Sequence, residues 1–159
     1  MKISSKGRYS LRMLADLAEH YDEGYVALRD VAERQEISKK YLEQLAALLS
    51  RFDILRASRG SQGGYMLAKP PEQYKLSQIL QITEGGICPV ACLEDEPNRC
   101  ARSKRCKTLP LWKGLNAMIG TFLENTTLKD MVDGTMGEIR LKLIKPFEGP
   151  PEPAASAED

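Results

Sequence analysis

Residues 28–67 carry the pattern that most constrains what this chain can fold into. Apolar residues at helical spacing predict a short helix from Leu28, followed by a tight turn at 35–37. Ser38 stands where an N-terminal cap would open a second helix. Two apolar runs, 54–55 and 65–67, then flank the glycine-rich segment RGSQGG, which is typical of a hairpin. This order predicts a winged helix-turn-helix within a mainly α fold that has a small β-hairpin wing.

The second helix has the chemistry expected of a DNA-reading element. Its apolar face is predicted to bury Leu42, Leu45, Leu48 and Leu49, which leaves Lys39, Lys40, Glu43 and Gln44 pointing outward near its start. Glutamine can form a bidentate contact with adenine, and glutamate can accept from the N4 amino group of cytosine. Arg59, among the hairpin glycines, could reach a narrow minor groove. Two short helices and a hairpin also occur in domains that never touch DNA, so the side chains strengthen the prediction more than the pattern does.

Length and charge set the remaining bounds. A chain of 159 residues suits one domain with an appended arm and tail. No run is long enough to span a membrane, and the first residues do not resemble a signal peptide, so we expect a soluble cytoplasmic protein without a membrane partner. The net charge is +1, but residues 1–70 hold 12 Lys/Arg against 9 Asp/Glu. This modest positive bias lies on the part of the chain that includes the predicted reading head, by which we mean the helix-turn-helix and wing at 28–67.

Outside the reading head, two helices matter most. A first helix is predicted over 4–21, with Lys6, Arg8 and Arg12 near its start, where they could meet phosphates. Its predicted apolar face consists of Leu11, Leu14, Leu17, Ala18 and Tyr21. A long helix from about Leu109 carries a broad apolar stripe, and we expect it to be a dimerisation helix that packs against a second copy. Thr127 and Asp130 then predict a capping box that opens a short last helix. The predicted divisions are a DNA-binding domain at 1–86, a cysteine-containing sensor loop at 87–108, the dimerisation helix at 109–133 and a disordered tail at 134–159.

All four cysteines fall in the predicted sensor loop: Cys88, Cys92, Cys100 and Cys106. Such clustering in a reducing compartment favours metal or redox chemistry over structural disulfides. No pair has the C-x2-C spacing common in structural zinc sites, whereas iron–sulfur clusters accept more varied spacing. The neighbouring cations would favour thiolates, which suits a cluster and a thiol switch equally. An iron–sulfur cluster, a zinc site, a thiol switch and inert cysteines therefore all stay open at this point.

Several of these segments resemble the IscR/NsrR/CymR family of bacterial winged-helix transcription regulators. The resemblance rests on KISSKGRY at 2–9, ISKKYLEQL at 37–45, RGSQGGY at 59–65, and the cysteine loop followed by LPLW and a long helix. It covers about residues 1–133. It implies a homodimer that binds a roughly palindromic double-stranded DNA operator and acts as a regulator of transcription, with repression the expected mode.

The resemblance also implies roles for individual residues. The family's DNA contacts carry over to positions in the second helix and wing: Ser38, Lys40, Tyr41, Glu43, Gln44 and Arg59. Cluster-binding members use three loop cysteines, which match Cys92, Cys100 and Cys106, so the implied cofactor is an iron–sulfur cluster of the 2Fe–2S or 4Fe–4S type. Because the loop lies between the short helix after the wing and the long dimer helix, we hypothesise that a bound cluster orders the loop and fixes the angle between the head and the dimer axis.

This chain departs from the family pattern at the fourth ligand position. Some members place a histidine just after the third cysteine, but here Lys107 follows. Others use an acidic residue near the start of the partner's first helix, where this chain has Arg8. Cys88 is an extra cysteine that could take the fourth place, and the loop carboxylates at 94–96 are further candidates.

Alternative functions have less support in the sequence. An enzyme would need a nucleophile–base pair or a phosphate-binding loop, and the chain has a single histidine and neither motif. Within the regulator class, a cluster-free thiol or zinc sensor, or a regulator of cysteine metabolism, stays open. A scaffold that uses the helix-turn-helix for protein contacts would bind DNA without sequence preference.

Overall fold

The computed structural model describes residues 2–60 and 63–135. Within them the chain forms six α-helices and one antiparallel hairpin, which confirms the mainly α class with a two-stranded wing. The elements are α1 Ser5–Glu19, α2 Leu28–Gln35, α3 Lys39–Arg51, β1 Leu55–Ser58, β2 Gly64–Leu67, α4 Leu76–Glu84, α5 Leu109–Glu124 and α6 Leu128–Val132. None of the described helices is long and apolar enough to cross a membrane. Most of the predicted tail, 136–159, lies outside the described residues.

The core is built around α1, which packs against α2, α3, α4, α6 and β2. Because neighbours surround it, its buried face is wider than a single amphipathic stripe. Met13, absent from the predicted apolar face, is fully buried beside Leu14 and Leu17, whereas Leu11 is only partly buried. On α3, Ala46 is fully buried, whereas Leu48, which was predicted to be buried, is only half-buried.

The turn between α2 and α3 is closed by backbone geometry that the sequence did not reveal. Glu36 takes a left-handed conformation with φ 51° and ψ 41°, which reverses the chain at the end of α2. The N–H of Ile37 then donates to the carbonyl of Ala32 at 3.2 Å, and the Ile37 side chain enters the core. Ser38 caps α3 as predicted, because its hydroxyl accepts the N–H of Tyr41 at 3.3 Å. The start of α3 is therefore fixed by local hydrogen bonds.

A buried carboxylate joins α1 to this turn. Asp16 is 1% exposed and accepts two hydrogen bonds from Arg34, at 3.0 and 2.6 Å, and a third from the side-chain amide of Gln35 at 3.0 Å. Arg12 adds a second connection, because its guanidinium donates to the side chain and to the backbone carbonyl of Gln35. These bonds hold the turn of the helix-turn-helix, at the end of α2, against α1.

The hairpin is held to the head by a bridge at Val26. The N–H of Val26 donates to the carbonyl of Tyr65, and the N–H of Tyr65 donates back to Val26, both at 2.9 Å. Gly64 lies so close to this segment that a Cβ atom there would come within 2.3 Å of the Val26 carbonyl oxygen. Glycine at 64 therefore permits the wing to approach the start of α2.

The long helix α5 is the least buried element of the fold. None of its residues is fully buried, and Leu111, Leu115 and Met118 are 62%, 38% and 54% exposed. At about 100° per residue these three fall on one stripe together with Phe122. Helix α5 packs on α4, and among the described residues its hydrogen bonds to the head come from its last residue, Glu124, which pairs with Lys75 at 2.5 Å and accepts from Ser77 at 2.6 Å.

After α5 the chain returns to the core. Thr127 and Asp130 form the predicted capping box, and α6 packs on α1 with Leu128 fully buried. The N–H of Leu128 donates to the carbonyl of Tyr74 at 2.8 Å, which ties this return to the segment before α4. Residues on both sides of the cysteine loop are thus anchored to the same core.

Candidate nucleic-acid interface and cysteine loop

The predicted DNA-reading residues of α3 lie on its first two turns and are almost all open to solvent. Ser38 is exposed although its hydroxyl caps the helix, and Tyr41 is half-buried with its ring edge-on to Tyr9 at a centroid distance of 5.9 Å. The four long polar side chains are exposed: Lys39, Lys40, Glu43 and Gln44. Two of them, Lys40 and Gln44, make no side-chain hydrogen bond or ion pair among the described residues. The other two, Lys39 and Glu43, form one surface ion pair at 3.5 Å, which is too weak to compete strongly with a ligand.

The start of α1 lies beside the start of α3. The guanidinium carbons of Arg8 and Arg12 stand 5.6 and 5.5 Å from the centre of the Tyr9 ring, which in turn contacts Tyr41. Both arginines were predicted to face phosphates. Arg12 is committed to the turn through Gln35, so of the two Arg8 is the freer cation.

The wing arginine lies across a cleft from the recognition helix. Arg59 follows β1 directly and is exposed, and it lines a cleft of about 590 Å³ together with Lys39 and Glu43. The fold thus brings together groups that lie at least 16 positions apart in the sequence. Their roles as DNA contacts stay predictions, and the shared cleft is the geometry that such contacts require.

The cysteine loop connects α4 to α5 and is built largely of short turns. All four thiols are half-buried and free. The Cys88 thiol donates to the carbonyl of Leu93 at 3.3 Å, and the Cys106 sulfur lies 3.3 Å from the Thr108 hydroxyl. Over the described residues, no three His, Cys, Asp or Glu side chains come together as a group that could hold a metal ion.

The donor chemistry of the loop nevertheless suits a thiolate-bound group. The pKa of Cys106 is lowered, chiefly by the hydrogen bond with the Thr108 hydroxyl, then by the backbone N–H groups of Thr108 and Leu109, with a smaller contribution from the charge of Arg102. A lowered pKa favours the thiolate, which is the form that ligates metals and reacts with oxidants. Four thiols within 19 residues supply enough such donors for a cluster.

Glu84, at the end of α4, joins the start of this loop to the start of α1. Its carboxylate accepts the Ser4 hydroxyl at 2.7 Å, the Ser4 N–H at 3.2 Å and the Gly7 N–H at 2.9 Å. A Cβ atom at Gly7 would lie only 2.4 Å from the carboxylate. The sequence gives little sign of this contact, because it joins residues about 80 positions apart. The local signal is the lack of an acidic residue in the first turn of α1, which leaves its N-terminus open to an outside partner.

Residues 3–134 match the family model Rrf2, described as an iron-dependent transcriptional regulator. The chain belongs to the Rrf2 family. It is similar to the HTH-type transcriptional regulator CymR of Bacillus subtilis, with 37% identity over 138 residues that cover 87% of this chain and 94% of CymR. It is also similar to IscR of Serratia proteamaculans, with 36% identity over 133 residues, 84% of this chain and 80% of IscR.

Solved Rrf2 structures confirm the fold. The structure of CymR, the global cysteine regulator of B. subtilis, matches with a TM-score of 0.71 and 34% identity, covering 84% of this chain and 98% of that one. IscR of T. potens matches with a TM-score of 0.66 and 34% identity, covering 85% and 88%. The resemblance inferred from the sequence is thereby confirmed, and this Rrf2 protein is a transcriptional regulator, in agreement with the prediction that it is not an enzyme.

The Glu84 contact makes a pH-dependent prediction. Burial alone would raise the pKa of Glu84, but hydrogen bonds from Ser4 and Gly7 and the charge of Lys6 lower it overall. A carboxylate whose pKa is lower when folded adds stability that is complete above its unfolded value, 4.5 here, and is lost as pH falls through the folded value. We therefore expect Glu84→Gln to cost about 1 kcal/mol near neutral pH and to flatten the acid limb of the stability profile.

The measurement is urea unfolding at fixed protein concentration over a series of pH values. Glu72→Gln is the matched control, because it removes an exposed carboxylate that makes no hydrogen bond or ion pair among the described residues. If the acid limbs of Glu84→Gln and Glu72→Gln coincide, the contact between α1 and Glu84 contributes nothing to stability.

Proposed function

We propose that this Rrf2 regulator binds a palindromic DNA operator as a homodimer and senses iron–sulfur cluster or redox status through its cysteine loop. The observation that carries the DNA-binding part is the cleft that Lys39 and Glu43 of α3 share with Arg59 of the wing. A recognition helix in the major groove and a wing arginine in the minor groove must stand on two sides of such a cleft. Ser38, Lys40, Tyr41 and Gln44 complete the proposed reading surface on α3.

Selection of binding sites from a random double-stranded pool tests this part directly. We expect the full chain to enrich an inverted repeat whose half-sites are centred about one helical turn, roughly 34 Å, apart. Affinity for the selected site should fall with salt at a slope of about −0.9 per phosphate contact on logarithmic axes. A pool that gains no preferred sequence would contradict the operator-binding proposal and would favour a scaffold.

The homodimer is proposed from the exposed face of α5. Leu111, Leu115, Met118 and Phe122 form an apolar stripe on a helix whose hydrogen bonds to its own head, among the described residues, come from Glu124 at its end. Adjacent exposed apolar side chains of this size favour burial against a partner. A second copy of α5 offers the same stripe, so a two-fold interface would cover both at once.

A charge placed on this stripe should break the dimer. Met118→Lys would bury one unpaired ammonium per protomer, so we expect the association free energy to weaken by roughly 3 kcal/mol or more. Ala117→Lys adds the same charge about 100° away around the helix and should leave the dimer intact. Sedimentation velocity over a concentration series measures both variants. Equal effects of the two substitutions would place the interface elsewhere, and a monomeric parent protein would remove the homodimer from the proposal.

Cys92, Cys100 and Cys106 would hold the cluster, with Cys88 as the proposed fourth ligand. When bound, an iron–sulfur group supplies a centre that responds to oxidant, nitric oxide or iron shortage. The chain's own contribution is a route from this loop to the head. Glu84 lies four residues before Cys88 and holds the first turn of α1 through Ser4 and Gly7, and α1 in turn packs on the recognition helix. Ordering of the loop would thus bias the position of α1 and, with it, DNA affinity.

Cys92→Ala should remove the cluster while leaving the fold and the dimer unchanged. We expect loss of visible absorption between 300 and 700 nm and of iron and acid-labile sulfide in protein purified without oxygen, because a thiolate ligand is missing. Ser103→Ala, a small change in the same loop, should keep all three signals. A Cys92→Ala protein that keeps its colour and iron would contradict the ligand assignment. Zinc, or no metal, in the parent protein would instead support the thiol- or zinc-based alternative.

A further inference from the structure

The cleft between α3 and the wing has a third wall, formed by the start of α2. Ala27, Leu28 and Arg29 line it there, together with Lys39 of α3 and Arg59 of the wing. We infer that this cleft receives one sugar–phosphate strand of the operator and that Arg29 is a contact to its phosphates. The inference rests on the proposed DNA-binding function and adds a residue that the motif of the recognition helix and wing does not include.

The geometry of duplex DNA requires a strand at this position. The major and minor grooves on one side of a duplex are separated by a single sugar–phosphate backbone. If α3 enters the major groove and Arg59 reaches the adjacent minor groove, that backbone has to pass between them. The space between α3 and the wing is the cleft of about 590 Å³ whose remaining wall carries Arg29.

The charges of the cleft suit a polyanion. Three cations line it, Arg29, Lys39 and Arg59, against one carboxylate, Glu43. Asp30 lies just outside the lining and pairs with Arg29 at 3.0 Å, as Glu43 pairs with Lys39 at 3.5 Å. Even when both carboxylates are counted, the three cations leave an excess of one positive charge, on Arg59. A backbone strand brings the opposite charge at every phosphate.

Arg29 has donors available for such a contact. Its side chain is 81% exposed, and among the described residues only its Nε donates, to the Asp30 carboxylate at 3.0 Å. The two terminal amino groups of the guanidinium make no hydrogen bond there and can present a planar pair of donors to one phosphate. An exposed ion pair such as Arg29–Asp30 is weak, so it offers little competition to a phosphate.

The wing fixes where Arg29 stands relative to Arg59. The Val26–Tyr65 bridge, with both hydrogen bonds at 2.9 Å, holds the segment just before α2 against β2. Gly64 allows the two backbones to meet closely, as its contact with the Val26 carbonyl requires. The first turn of α2 is therefore attached to the wing, and both arginines approach the duplex as one surface.

The experiment compares Arg29→Ala with the parent full-length chain on two fluorescent duplexes, the operator selected from the random pool and an unrelated duplex of the same length. Anisotropy titrations at several salt concentrations give the affinity and its salt slope. We expect Arg29→Ala to weaken binding to both duplexes by the same factor, roughly fivefold per bound protomer at about 0.15 M salt, because each phosphate contact releases about 0.9 counterion. The salt slope should fall by about 0.9 per protomer.

Two variants separate a phosphate contact from a general loss of charge. Arg29→Lys keeps the charge and should keep the salt slope. Arg51→Ala removes an exposed arginine at the opposite end of α3 and should leave both affinity and slope near the parent values.

The outcomes are distinct. Equal behaviour of Arg29→Ala and Arg51→Ala would overturn the assignment, and so would loss of operator preference at an unchanged salt slope, since that would mean base readout. A parent protein without any sequence preference would overturn the proposed function itself, before the variants are compared.

Discussion

The buried carboxylate of Asp16 is the interaction on which the reading head depends. A charge that is 1% exposed is stable only when it is paired and fully hydrogen-bonded, and Arg34 and Gln35 supply three donors. Both residues lie at the end of α2, directly before Glu36, the left-handed residue that reverses the chain into α3. The position of α3 relative to α1 is therefore set by a polar contact with defined geometry as well as by apolar packing, which is less directional.

Helix α1 is held near its N-terminal end by a second carboxylate, that of Glu84. Glu84 binds the first turn of α1, while Asp16 binds the turn of the helix-turn-helix from the far half of α1. One rigid helix thus touches both the recognition element and the residue that precedes the cysteine loop. This arrangement gives the proposed regulation a physical route, since a change in the loop that moves Glu84 also moves the helix on which α3 rests.

Local features of the chain could be predicted from the sequence, and contacts between distant segments could not. The Ser38 cap, the hairpin around the glycine-rich segment and the Thr127 capping box all involve residues within a few positions of each other, so their residue types carry the signal. The Asp16 and Glu84 contacts join separate elements, and nothing in the local pattern distinguishes these acids from surface carboxylates. Met13 was missed for a related reason, because only the arrangement of five neighbours around α1 widens its buried face.

In the candidate functional site, too, local features could be predicted from the sequence, and contacts between distant segments could not. Residues 38–44 could be named as a reading surface because they lie on one exposed helix end, but Arg29 gains its position only when the wing folds back onto the start of α2. For the loop, clustering of the cysteines predicted thiolate chemistry, and the lowered pKa of Cys106 agrees with that chemistry. Spacing along the chain contains no information about how turns bring the thiols together, so the ligand set stays a prediction.

We propose that the state of the loop controls the affinity of the head for DNA. The most direct measurement is the dissociation constant for the selected operator, determined without oxygen for the same protein preparation with the cluster bound and after its removal. If the loop and the head are coupled, the two constants should differ by about 5- to 150-fold, the range typical of coupling between two sites. Equal constants in the two states, with dimerisation and fold unchanged, would contradict it.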